Sequence, residues 1–236
     1  MENMAKEFTK NMFVMLLAIM IGIIIITYFI GDIINRSKID NLTEEHEEEI
    51  ITLIGQNENF TSHFLKSTSV LDQAREDRAF GNYHFDLGLL WYQSALSQKN
   101  ITLLELYKTR AIDNCTKALP NYLYSYYNFL ESKNYFDQTK TFISYSKYLK
   151  ILDTYINLTD AGSRLTMLRY NASKYLMYLT ENLTFNPETN NVIYLMNVSN
   201  ITMLFNMAMY EYGMVLEEFE EYQDIIDEYE FFEEAR

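Results

Sequence analysis

The residues of this chain best placed to do chemistry are asparagines in Asn-x-Ser/Thr triplets. In that context the side-chain amide is the acceptor for an N-linked sugar. Nine such triplets stand out, beginning at Asn41, Asn59, Asn100, Asn114, Asn157, Asn171, Asn182, Asn197 and Asn200. None has proline in the middle. With 21 Asn and 31 Ser plus Thr in 236 residues, independent placement gives about three triplets (21 × 31/236). Helix capping explains a single Asn or Thr, not the pair two residues apart. N-linked glycans are therefore the first partner chemistry the sequence predicts.

Other reactive side chains point to bland roles. His46 sits among five glutamates in Thr43–Ile51, but these ligand types are consecutive rather than spaced on one helical face. They predict a solvated helix start and no metal site. His63 and His84 have no paired spacing. Cys115 is the one cysteine, so no internal disulfide can form, and it reads as a small core residue. The single Trp91 lies next to Tyr92 in an apolar stretch and reads as core rather than a sugar platform. Phosphate loops, dinucleotide fingerprints and hydrolase motifs are missing from the sequence. A non-enzymatic protein without cofactors is the resulting expectation. The net charge of −14 argues against nucleic acid as a partner, because phosphate binding needs a basic face.

These acceptors need elements that place them outside a cell. Met12–Ile30 holds 19 residues without a charge, roughly 28 Å of helix, which matches a bilayer's hydrocarbon thickness. It is longer than a signal-peptide core and ends in Thr27-Tyr28-Phe29-Ile30, without a small-residue cleavage site. A retained single-pass helix over 12–31 in the lipid bilayer is predicted. Lys6 and Lys10 before it balance Arg36 and Lys38 after it, so charge does not orient the span. The triplets do, since the nine all follow it. Residues 1–11 are then a short cytoplasmic segment, too small for a signalling domain, and residues 32–236 an extracytoplasmic domain. Heavy triplet use with one cysteine suits an archaeal cell surface better than a disulfide-rich secreted domain.

Seven Gly and two Pro favour long helices over a turn-rich sheet fold. Leu71, Ala74, Arg78, Phe85, Gly88, Tyr92 and Ala95 recur at helical spacing, with Gly81 a candidate kink. A helix over 101–118 is expected to break at Pro120. Helices over 121–132, 135–157 and 161–180 follow, closed by Asn186-Pro187. The strongest pattern is the last one. Tyr194, Val198, Ile201, Phe205, Ala208, Tyr212, Val215, Phe219, Tyr222, Ile226 and Tyr229 step by four and three throughout. This predicts one long helix with an interaction seam, rich in Tyr, for partner helices. On that helix two sugars one turn apart would crowd, so Asn200 is favoured over Asn197 as acceptor. From Glu211 to Arg236 stand eleven Asp/Glu and one basic residue, read as a solvated face.

Phe85-x-x-Gly88-x-x-x-Tyr92-x-x-Ala95-Leu96 resembles the second helix of a tetratricopeptide repeat. Arg75, Glu76 and Ala79 depart from the preceding helix of that pattern, and no 34-residue period follows. The expected fold is all-α, a transmembrane helix followed by a bundle of long antiparallel helices, with a helical-hairpin solenoid as the alternative. The expected function is a glycosylated surface scaffold or accessory subunit, with a protein partner or a homo-oligomer. An extracytoplasmic ligand-binding or sensory bundle is the alternative.

Overall fold

The computed structural model describes residues 52–53, 55–143 and 146–228. The expected span over 12–31, Asn41, His46 and Tyr229 lie outside the described residues. Among the described residues no helix is long and apolar enough to cross a membrane. Contacts divide the chain after Gly55, and the fold below is that of the unit beginning at Gln56.

The class is all-α. Helix α1 runs through residues 55–96. Helix α2 spans Ile101–Thr139 and passes through a short 3-10 turn, Lys140–Phe142. Helix α3 spans Ser146–Glu181. Two short strands, β1 (Leu183–Asn186) and β2 (Asn191–Tyr194), pair as an antiparallel hairpin before α4, Ser199–Asp227. At about 1.5 Å per residue, α2 is roughly 58 Å long.

Consecutive helices are antiparallel. Ser132 and Ser125 of α2 donate to the carbonyls of Ser67 and Ala74 of α1. Lys140 and Lys133 of α2 pair with Asp153 and Asp160 of α3. Arg164 of α3 pairs with Glu218 of α4. Arg78 of α1 lies 4.2 Å from the ring centroid of Phe219 on α4, so the fourth helix returns to the first. That closure makes a four-helix bundle, not a row of stacked hairpins.

Pro120 does not end the second helix, contrary to the break its type suggests. Buried Ala111, Cys115, Ala118, Tyr122, Ser125, Phe129 and Ser132 keep one phase on both sides of it. Pro120 is exposed, and so is Thr116, whose carbonyl loses its helical donor, so water can replace the missing bond. Nor do breaks occur at 132–135 or 157–161. Ser132 is buried and bonded to α1. Thr159, Ser163 and Thr166 donate back to the carbonyls of Ile156, Asp160 and Gly162, which lets α3 run on. Gly81 does not interrupt α1. A Cβ there would meet the Tyr122 ring at 2.7 Å, so the glycine serves close helix packing.

The final helix is shorter at its start than its spacing suggests. Tyr194 belongs to β2 and Val198 is the N-cap residue. Pro187 lacks an amide donor, and Asn186 Oδ1 accepts from Glu188 and Thr189 N–H in the turn. Asn190 takes a φ of 55°, a left-handed value that Asn tolerates. Local turn chemistry thus overrides the helical spacing.

Two substitutions test this packing in opposite directions. Gly162→Ala would drive a methyl into the Phe129 ring and is expected to cost about 1–3 kcal/mol. Pro120→Ala restores an exposed helical bond and is expected to add about 1–2 kcal/mol. Urea denaturation midpoints of the two variants check both signs.

Candidate functional site

The acceptors fall into three groups by exposure. Asn59, Asn100, Asn157, Asn197 and Asn200 are exposed. Asn114 and Asn171 are half-buried. Asn182 keeps 8% of its surface exposed, and its Nδ2 donates to the carbonyl of Tyr178 at 2.8 Å. Asn100 caps α2: its Oδ1 accepts from Thr102 and Leu103 N–H. The cap is thus the first residue of the acceptor triplet itself. Asn197 Oδ1 accepts from Ser199 N–H at 2.9 Å, an Asx turn just before the N-cap residue Val198. In both, the atom that bonds the sugar's anomeric carbon in glycosylation would be Nδ2, which those bonds leave free. The same pattern also occurs at Asn35-Arg36-Ser37, just after the apolar span and outside the described residues. It brings the triplets after the span to ten.

The seam of α4 is occupied within the chain. Val198, Ile201, Phe205 and Tyr194 pack into one core cluster with Phe85, Ala111 and Leu176. Tyr212, Val215, Phe219, Tyr222 and Ile226 pack into a second with Leu71, Phe129 and Leu165. A surface for another molecule must therefore lie on the opposite face. There Met203, Met207, Tyr210 and Met214 are exposed at four- and three-residue steps. An open groove of about 860 Å³ runs along the first part of this face, between Tyr194 and Tyr210, with Asn197, Thr202, Met203 and Met207 in its walls. Asn200 is not among its lining residues. Spacing alone did not reveal this face, because the inner stripe is stronger.

Two half-buried arginines lie among aromatic rings of the bundle. Arg169 of α3 lies 4.5 Å from the Phe85 centroid and 4.1 Å from that of Tyr212. Its Nη1 donates to Asp86 at 3.2 Å, but its Nε is buried without a partner. Arg78 stands over Phe219, and its Nη1 is also buried without a partner. Burial lowers Arg78 below the usual arginine range, opposed in part by Tyr212. Burial also raises Tyr122 above the usual tyrosine value. Trp91 is half-buried, stacked on Tyr107 at 5.4 Å with Arg110 4.6 Å from its centroid. Cys115 is fully buried against Gly88, and burial pushes its thiol up to about 12. It is held as a neutral thiol, poorly suited to nucleophilic work. Among the described residues no cluster of three or more His, Cys, Asp or Glu is placed to hold a metal ion.

No family model, curated protein or solved structure matches this chain. Function has to be argued from its own residues.

Two outcomes follow from the buried groups. Arg169→Met keeps the packed volume and removes a desolvated cation, so its melting temperature should equal or exceed the parent's, while Arg169→Ala should lower stability by about 2–3 kcal/mol. Thermal scans compare them. The raised Cys115 value favours the protonated form in the folded state. Its stability contribution is complete below the unfolded thiol value near about 8.5 and is lost as pH rises toward about 12. Cys115→Ser should flatten part of that alkaline fall in a pH series of denaturation curves.

Proposed function

We propose that the chain is a membrane-anchored, N-glycosylated surface protein. In this reading residues 1–11 are cytoplasmic, 12–31 cross the bilayer, and 32–236 form an extracytoplasmic helical domain. That domain works by interaction, as a non-enzymatic scaffold or an accessory subunit of a membrane complex. The observation that carries the reading is the excess of acceptor triplets after an apolar span of 19 residues. Five of the eight described acceptors are exposed, which supports it further: a folded bundle of this kind can carry sugars without repacking. The exposed apolar face of α4 supports the interaction role, because contiguous apolar surface marks contact sites.

A second reading, a ligand-binding or sensory bundle acting through a separate membrane partner, is favoured by the two half-buried arginines with unpartnered N–H groups. If they await an anionic ligand, Arg169→Met would abolish ligand-induced stabilisation while leaving the fold intact.

Peptide mapping by mass spectrometry of protein from its native host tests the first reading. Sugar is expected on Asn59, Asn100 and Asn157 and at the Asn197/Asn200 pair, and not on Asn182. An unmodified chain at all these positions would sink the surface placement.

A further inference from the structure

The groove on α4 and the acceptor at its rim belong together. We infer that the groove is the resting site of the chain's own N-linked glycan, attached at Asn197 and folded back over Met203 and Met207. This rests on the glycosylated-surface reading and sharpens it to one acceptor and one occupant.

Four observations converge. First, Asn197 lines the groove and Asn200 does not. The crowding expected of two sugars on one helix does not arise, because Asn197 precedes the helix in the turn after β2. Second, Asn197 is pre-set. Its Oδ1 is fixed by Ser199 N–H, so the attached Nδ2 has a defined direction rather than a free rotor. Third, the groove has the chemistry sugars use. Tyr194, Tyr210, Met203 and Met207 line it with apolar surface for C–H faces, and Asn197, Thr202 and Asn206 supply polar atoms for hydroxyls. Its volume of about 860 Å³ falls in the range of small-ligand sites, about 300–1,000 Å³. Fourth, the charge matches. The 22 residues from Thr189 to Tyr210 contain no Asp, Glu, Lys or Arg, in a chain of net charge −14. A neutral ligand is accepted there without desolvating an ion.

The tether supplies what weak sugar contacts lack. A covalently attached glycan meets the groove at an effective concentration in the millimolar range, so weak contacts suffice. A second copy of the chain is a poorer occupant. Each copy brings the same net negative charge and two acceptors at the edge of the same face.

Methionine oxidation footprinting of the native full-length protein tests this in an Asn171→Gln background, which removes the acceptor beside Met214 and leaves that exposed residue, outside this groove, as reference. Enzymatic trimming of the folded glycoprotein is expected to speed oxidation of Met203 and Met207 several-fold and leave Met214 unchanged. Ser199→Ala removes the triplet but keeps the backbone N–H that Asn197 Oδ1 accepts from, and should reproduce that pattern; Asn200→Gln, which removes the other triplet at a residue outside the groove lining, should not. A sugar-free chain overturns this inference together with the surface reading. Sugars elsewhere but none on Asn197 overturn the inference alone. So does a modified Asn197 whose trimming leaves Met203 and Met207 as they were. Protection that survives trimming and tracks a dimer on size exclusion would assign the groove to a second copy instead.

Discussion

The ring of Phe129 lies against the backbone of Gly162, and the packing of α2 on α3 is built around that contact. The same device recurs where Tyr122 covers Gly81 and where Cys115 meets Gly88. In each case a side chain of α2 occupies the space where a Cβ on its neighbour would stand. Helices of 36 and 39 residues can then approach closely over much of their length. The cost is conformational freedom in the unfolded chain at each glycine. It is offset by fully buried large rings, Tyr122, Phe129 and Phe136 among them.

Close approach leaves little room for water, and this explains the polar residues inside. Ser67, Ser125, Ser132, Thr166 and Thr180 are all fully buried. Each hydroxyl donates to a helix carbonyl, either its own or the neighbour's. Short hydroxyl side chains fit where helices nearly touch, and carbonyls have a spare lone pair to accept them. Such residues look like boundaries in a linear reading and are packing elements in the fold. The two arginine atoms without partners stand out against this otherwise bonded interior.

The same physics sets what the sequence makes legible. Strict periodicity reports burial well: Leu71, Ala74, Phe85, Gly88, Tyr92 and Ala95 were readable as one stripe and are buried together. The inner seam of α4 was readable for the same reason. Helix ends were not. Pro120 and the Asn157–Ala161 stretch carry strong local signals that tertiary contacts overrule, while the Asn186–Asn191 turn carries a local signal that wins. Periodicity cannot arbitrate, because Tyr194 keeps the spacing of the helix from within a strand. The outer face of α4 was hidden because its Met and Tyr residues are the weaker of two apolar stripes on one helix.

Charge is distributed along α4 in a way that couples these features. Its C-terminal half is acidic and is docked by four arginines: Arg75 on Gln223, Arg78 on Phe219, Arg164 on Glu218 and Arg169 on Tyr212. They come from α1 and α3, the two helices that flank it. Of these, Arg164 pairs with an acidic side chain of α4, Glu218, while Arg78 and Arg169 lie over its rings. The N-terminal half is docked differently, by apolar contacts and a hydrogen bond between the hydroxyls of Tyr92 and Tyr194. Apolar packing holds both ends of the helix, with arginine contacts added at one and a tyrosine pair at the other. A cation approaching the acidic end would compete with the protein's own arginines. A neutral molecule at the other end competes with nothing but water, and there the apolar floor of the groove stands open.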